Sequence, residues 1–351
     1  AAIDAFTAVL IIACPCAVAL AIPFTFGNAV RILGRNRFYL KDTTVIERLQ
    51  QVTAVVFDKT GTLTTTRKAR LRYDGTPLTA DEQHRVAALA AQSAHPMSRQ
   101  LVRALGQAEA RVEDFREVQG QGLEARVDGV PVRVGSAAFV GASAKSGSEV
   151  WVQIDGAVKG RFVLESEWRP GFERVVQYFR DQGKEVWLLS GDNEREAAAL
   201  APLFGESHMA FRQKPEDKLA FIRQLQEQGH RVLMLGDGLN DAGALRQADV
   251  GIAVTEDITH FTPASDAILD GTRLADLPRF LAYARKSVRS VFQAYGLAAV
   301  YNVIGQSYAV QALLSPVIAA VLMPASSVTI VAFGVGVTTL LGWRMGLWPS
   351  E

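Results

Sequence analysis

Three short stretches place a carboxylate among small or hydroxylated residues directly after an apolar run: Asp58-Lys59-Thr60-Gly61-Thr62-Leu63-Thr64, Ser190-Gly191-Asp192-Asn193 and Gly236-Asp237-Gly238-Leu239-Asn240-Asp241. A carboxylate at a strand end, such as Asp58, can attack a phosphoryl group in line and divide one difficult displacement into two easier ones. Negative charge on the phosphoryl oxygens then has to be met by a hard cation and by fixed donors. Asp237 is the first choice of ligand for Mg²⁺, with Asp241 four residues further on. Ser190 offers a hydroxyl, Gly191 lets backbone amides approach, and Lys218 can supply a point charge. Each stretch alone reads as a capped turn, but three in order, each behind an apolar strand, are poorly explained by coincidence. A different chemistry is suggested by Cys14-Pro15-Cys16 inside an apolar run. Proline opens a helix there, two thiols can face one point, and thiolates favour Cu(I), Zn(II) and other soft or borderline ions.

The elements that must carry these residues alternate. From about Asp42 to Asp276, short β-branched runs (Val52–Phe57, Glu185–Leu189, Arg231–Leu235) exchange with amphipathic stretches, the pattern of a doubly wound parallel sheet. Ligands of such sheets lie beyond the C-terminal strand ends, where Asp58, Asp192 and Asp237 fall. The segment 67–160 breaks the alternation. It shows one helical stretch (Ala80–Gly106), short strands turning at Asp128-Gly129 and Asp155-Gly156, and a Gly/Ser/Ala-rich loop at Gly141–Gly147, so an inserted α+β domain is expected. Bulk charge nearly cancels, with 37 Lys and Arg against 36 Asp and Glu, which gives no general field for nucleic acid.

Charge placement is more informative. The 26 residues Ala5–Val30 and the 54 residues Ser290–Trp343 contain no Asp, Glu, Lys or Arg. A bilayer core of about 30 Å takes about 20 helical residues, so one span and then two joined by a turn between Gln306 and Pro316 are expected. Arg31, Arg35, Arg37 and Lys41 after the first span, Arg285, Lys286 and Arg289 before the second, and Arg344 after the third put the central region on the cytoplasmic side. Only two cysteines occur, both within a span, which suits a reducing compartment.

With these residues in this order the chain resembles the P-type ATPases, and within them the heavy-metal subgroup that carries Cys-Pro-Cys in a membrane helix. The resemblance extends over essentially the whole chain. It implies an HAD-like phosphorylation domain at 42–66 and 161–276, a nucleotide-binding insert at 67–160, a first span with its cytoplasmic extension at 1–41 and two spans at 277–351. It further implies that Asp58 is phosphorylated, that Lys59 and Thr60 bind the phosphoryl group, and that Mg²⁺ is held at Asp58, Thr60 and Asp237 with support from Asn240 and Asp241. His95, Pro96, Gly120 and Gly122 match the subgroup's ATP-binding motifs. Ala90 stands where the subgroup commonly has Glu, a departure that points to weaker nucleotide affinity or base selectivity.

The resemblance also bears on the transported ion. Cys14, Cys16, Tyr301, Asn302, Met323 and Ser327 match the Cu(I) pumps, and the spans lack the carboxylate that a Zn(II) or Cd(II) pump usually carries. The expected function is ATP-driven Cu(I) transport in a bacterial inner membrane, with a copper chaperone as a partner. An N-terminal actuator domain and further spans are expected in a longer protein of which this chain is the C-terminal part. The alternatives are a Zn(II)/Cd(II) pump, a soluble-type phosphatase of the same fold, and a non-catalytic metal-binding membrane protein.

Overall fold

The computed structural model describes residues 2–14, 16–142, 149–238, 240–256 and 264–348. The chain opens with helices α1 (Ala2–Ile12) and α2 (Cys16–Arg35), strand β1 (Phe38–Leu40), helix α3 (Thr44–Gln51) and strand β2 (Ala54–Asp58). Next come β3 (Thr64–Gly75), α4 (Ala80–Ala91), α5 (Pro96–Leu105), β4 (Val112–Val118), β5 (Gly122–Val127), β6 (Val130–Gly135), β7 (Glu149–Ile154) and β8 (Ala157–Trp168). The remainder holds α6 (Phe172–Asp181), β9 (Glu185–Leu189), α7 (Ala197–Phe204), β10 (Met209–Ala210), α8 (Pro215–Glu227), β11 (Val232–Gly236), α9 (Ala242–Gln247), β12 (Val250–Thr255), β13 (Ala267–Asp270), α10 (Leu277–Val310) and α11 (Pro316–Arg344). Two compact units result: Thr64–Trp168, and the residues on either side of it in sequence, Ala1–Leu63 with Arg169–Glu351.

In the larger unit a seven-stranded sheet runs β1-β13-β12-β11-β2-β9-β10, parallel except for the antiparallel edge pair β1–β13. Its central strands are apolar on both faces, as a sheet covered by helices on both sides requires. Val55, Val56, Phe57, Leu188, Leu233, Leu235, Ile252 and Val254 are all buried. Phe57 packs edge-on against Phe179 of α6 and Phe204 of α7, with centroids 6.0 and 6.1 Å away, and burying such a ring contributes about 2–3 kcal/mol. From β2 the chain proceeds to β9 on one side and later to β11 on the other. Asp58 therefore ends the strand at which the winding reverses, where open sheets form their crevice.

The smaller unit is an antiparallel six-stranded sheet, β3-β8-β7-β6-β5-β4, packed against α4 and α5 around Val86, Leu89, Leu101, Leu123, Val134, Val152 and Phe162. The single helix expected over Ala80–Gly106 is two helices. Proline at position 96 cannot continue the preceding helical ladder and instead starts α5, and Ser93 closes the turn by accepting the His95 amide at 3.1 Å. Asp128 and Asp155 take positive φ at the two expected Asp-Gly turns. Most of the Gly141–Gly147 loop lies outside the described residues.

The uncharged runs are helical. The first divides at Ala13–Pro15 into α1 and α2, with Pro15 outside the described residues, and the turn between α10 and α11 falls at 311–315. Three spans were expected. Two stretches among the described residues are long and apolar enough by themselves, Ile3–Arg35 and Pro316–Arg344, with mean hydropathies of 2.5 and 2.1. The uncharged half of α10 falls short because it also carries Gln293, Tyr301, Asn302, Gln306 and Ser307. Its outward residues are nonetheless apolar: Phe292, Val300, Val303 and Ile304 are all more than half exposed. Small residues let the helices approach closely. Any side chain at Gly334 would run into Thr25 of α2, and one at Gly305 would press on Ile12 of α1.

Candidate active site

At the end of β2 the chain turns sharply through Lys59–Leu63. Thr60 is extended (φ −81°, ψ 123°) and Gly61 takes φ 78°, a conformation in which a Cβ is strained. Gly61 also faces Asp237 so closely that a Cβ would lie 3.1 Å from the aspartate Cβ. The first and third stretches of the sequence thus meet through a residue without a side chain. Register agrees: Asp58 pairs with Leu189 of β9, and Phe57 with Leu235 of β11.

The carboxylate of Asp58 is buried (2% exposed) and Lys218 Nζ donates to both Asp58 Oδ1 at 2.5 Å and Asp241 Oδ1 at 2.7 Å. Lys218, expected to supply a point charge, places its ammonium between two acids. Burial, followed by the charges of Asp241 and Asp237, outweighs the pull of Lys218 and raises the Asp58 carboxyl to about 8. Burial likewise leads the upward shift at Asp241, against the same lysine. Asp237 accepts from Asn240 at both oxygens, from the backbone amide at 2.9 Å and from the side-chain amide at 2.8 Å. Asp58 and Asp241 share one ammonium, and the charge of Asp237 acts on Asp58 as well, so negative charge predominates among these groups. Oxygen donors with that excess suit Mg²⁺, although among the described residues no three His, Cys, Asp or Glu side chains form a ready-made metal cluster. A phosphate's own oxygens would have to complete such a coordination shell.

Across the turn, Asp192 accepts from the Thr60 hydroxyl at 2.9 Å and pairs with Lys59 Nζ at 2.8 Å. Ser190 is buried, and its Oγ accepts the Asp192 amide at 3.1 Å, which shapes the loop on which Gly191 sits exposed. Asp58, Lys59, Thr60, Asp192, Lys218, Asp237, Asn240 and Asp241 are therefore linked by contacts through one region of the crevice.

Sequence reasoning passed over two residues here. Glu196 holds Lys59 at 2.8 Å. Arg169, 5% exposed, donates Nε to the Thr62 carbonyl and Nη2 to the Gly61 carbonyl, both at 2.9 Å, and Nη1 to Glu256 at 3.0 Å. It lies against Gly271, where any side chain would run into the guanidinium. Nothing in Trp168-Arg169-Pro170-Gly171 distinguishes it from a surface arginine at a strand end. Arg169→Met should cost about 2–4 kcal/mol by removing the buried guanidinium's bonds to the two loop carbonyls and to Glu256, read as a lowered unfolding midpoint.

In the smaller unit a cavity of about 270 Å³ is lined by His95, Met97, Glu117, Gly120, Gly122 and Ser136 among others. The Met97 amide donates to His95 Nδ1 at 3.2 Å, and Ser93 Oγ donates to Glu117 at 3.1 Å. Gly122 crosses β6 so closely that a side chain would strike the Val134 carbonyl, whereas Gly120 opens on free space. Pro96 begins α5, and its side chain lies outside the described residues.

In the helical part, Cys14 and Cys16 are paired as a disulfide with Cα atoms 5.5 Å apart, where two free thiols were expected. The pairing still reflects sulfurs that face one point; a disulfide, however, offers no thiolate to a metal. Two apolar clusters bracket this level of the bundle: Ala8, Ile12, Ala309 and Ala319 on one side, and Ala17, Ala298 and Ile330 on the other. Along their own helices, Tyr301, Asn302, Met323 and Ser327 fall between the same two clusters. Tyr301 donates to the Leu322 carbonyl at 2.8 Å, an interhelical bond, and Ser327 donates to the Met323 carbonyl at 3.4 Å.

Residues 52–249 match the family described as haloacid dehalogenase-like hydrolase. The chain is 37% identical to the nitrogen fixation protein FixI of Rhizobium leguminosarum bv. viciae, over 92% of its own length and 43% of that protein's. It is 35% identical to the "probable copper-exporting P-type ATPase V" of Mycobacterium tuberculosis, over 94% and 46% of the two lengths. Among solved structures it superposes on a zinc-transporting PIB-type ATPase in an E2.Pi state with a TM-score of 0.76 at 27% identity, covering 93% of this chain and 56% of the other. It also resembles the catalytic CPx-ATPase domain CopB-B, with a TM-score of 0.56 at 25% identity, over 73% of this chain and 98% of that one. The chain spans about half the length of the curated relatives it matches.

Proposed function

The chain belongs to the haloacid dehalogenase-like hydrolases and, within them, to the P-type ATPases, and from that premise we propose that it is the catalytic C-terminal part of a pump that moves Cu(I) across a bacterial inner membrane at the expense of ATP. The observation that carries the catalytic reading is the buried Asp58 at the sheet's reversal point, in contact with Lys218 and ringed by the two loops that bear Asp192 and Asp237. Its free carboxylate oxygen attacks the γ-phosphorus, the bond to the leaving ADP oxygen breaks, and an aspartyl phosphate is left on Asp58. Lys59 and the Thr60 hydroxyl bind the transferred group, and Lys218 keeps Asp58 oriented toward it. Mg²⁺, held by Asp58 and Asp237, supplies the missing positive charge when bound. His95, Gly120 and Gly122 hold the nucleotide in the smaller unit's cavity. The aspartyl phosphate is cleared by an actuator domain supplied by the rest of the protein.

For the cargo, Cys14 and Cys16 in their reduced form, with Met323, offer two thiolates and a thioether, a set that suits monovalent Cu(I). No carboxylate stands between Ser290 and Trp343 to balance a divalent ion. Basic residues at the ends of α2 and α11 and ahead of the uncharged half of α10 orient the catalytic units toward the cytoplasm, where a copper chaperone would deliver the ion. In the full-length protein under reducing conditions, Cu(I) should stimulate ATP hydrolysis at least about tenfold more than Zn²⁺ does, the factor expected for a change of about 1.4 kcal/mol in binding. Cys14→Ser with Cys16→Ser should remove that stimulation. Stimulation by Zn²⁺ without a response to Cu(I) would assign the cargo to the divalent class instead.

A further inference from the structure

The unforeseen partner of Lys59 carries a consequence for how the site takes an anion. Lys59 Nζ lies 2.8 Å from Asp192 Oδ2 and 2.8 Å from Glu196 Oε2, so two carboxylates share one ammonium. The lysine side chain is 8% exposed, that of Glu196 39%. Asp192 is tied in place: it also accepts from Thr60, its amide donates to Ser190 Oγ, and its carbonyl accepts the Arg212 amide at 2.9 Å. Glu196 ends the short turn Glu194–Glu196 and directly precedes α7, whose first turn its side chain does not cap, leaving that partly exposed side chain to reach Lys59.

We propose that Glu196 is an internal competitor for Lys59, an acidic side chain that occupies the phosphoryl-binding ammonium in the unphosphorylated chain and gives way when a phosphoryl group arrives. The inference rests on the assignment of Asp58, Lys59 and Thr60 as the phosphoryl site. With both acids in place the Lys59 cluster carries a net negative charge, which opposes a dianion. Without Glu196, Lys59 and Asp192 balance as a pair, and the hydrogen bond that Lys59 gave to Glu196 can turn to the incoming oxygens. Glu196 is the acid able to leave: both side chains are partly exposed, 44% for Asp192 and 39% for Glu196, so solvent can take up either charge, but Asp192 also accepts from Thr60 and its backbone is bonded to Ser190 and Arg212. Holding Lys59 in this way keeps the ammonium at the crevice between turnovers and limits how tightly phosphate, a product of the reaction, can rebind.

A unit negative charge beside the phosphoryl-binding ammonium, in a half-exposed and water-rich setting, should weaken anion binding about three- to tenfold. Orthovanadate with Mg²⁺ serves as the probe, titrated calorimetrically into the whole chain in detergent. Glu196→Gln should tighten vanadate binding about three- to tenfold, the range just set by the Coulomb term. Glu194→Gln, which removes the same charge from the same turn without touching Lys59, should change it less than about twofold, within the error of such a Coulomb figure. Circular-dichroism melting checks that each variant is folded. If Glu196→Gln leaves affinity unchanged or weaker while Lys59→Met weakens it, the competitor role is overturned and the phosphoryl site stands. Equal tightening by both glutamine variants would likewise overturn it, in favour of a net-charge effect. Vanadate binding that ignores Lys59→Met would overturn the site assignment and the competitor role together.

Discussion

Full-length protein carrying Asp58→Asn is expected to form no acid-stable, hydroxylamine-sensitive phosphoenzyme from labelled ATP, a loss of at least about a thousandfold, as is usual when a covalent nucleophile is removed. The amide is nearly isosteric but lacks the nucleophilic oxygen. The same change should leave the fold intact or strengthen it. Asp58 is buried beside Asp241 and its carboxyl is pushed up to about 8, first by burial and then by its acidic neighbours. A neutral group there relieves both penalties, and Lys218 keeps Asp241 as its partner. The thermal midpoint in Mg²⁺-free buffer should therefore hold or rise while phosphorylation vanishes, a trade of stability for function at one side chain. A phosphoenzyme that survived would remove Asp58 from the reaction.

Lys218→Met should have the second-largest effect, of opposite sign for stability. Its ammonium links residues far apart in sequence and offsets part of the charge of the pair Asp58–Asp241, both almost fully buried. Taking one partner from such an arrangement generally costs about 3–5 kcal/mol, lessened here because a raised carboxyl can take up a proton instead. Mg²⁺ should restore part of the loss by supplying positive charge to the same oxygens. The variant's unfolding midpoint is accordingly expected to drop in Mg²⁺-free buffer and to rise more steeply with added Mg²⁺ than that of the wild type, with phosphorylation at least about a hundredfold slower because Asp58 loses its orientation. Equal Mg²⁺ dependence in both proteins would mean that Lys218 does not share these carboxylates with the cation.

The fold was largely legible because its signals are local. Continuous apolar runs marked β2, β9 and β11 to within a residue or two, and the uncharged runs marked the helices of the bundle. Where reading failed, a local signal was outweighed or lacking. Amphipathic spacing over Ala80–Gly106 concealed the break that Pro96 imposes, although the proline itself was in view. The polar residues of α10 are invisible to a count of charges but reduce its apolarity. Arg169 and Glu196 gave no sign, since each acts through a partner on a different segment.

The amino-acid order by itself determined which groups are available: an acidic residue at the end of each of three apolar strands, a thiol pair at a helix break, a histidine and two glycines in an insert. Those properties follow from residue type and spacing along the chain. Tertiary structure alone decided which charges meet. Lys218 reaches Asp58 across 160 positions and Glu196 reaches Lys59 across 137, so neither pairing has a local pattern to announce it. Burial, which pushes Asp58 upward and makes Lys218 indispensable to it, likewise exists only once α6 and α8 and the neighbouring strands have closed water out of the crevice.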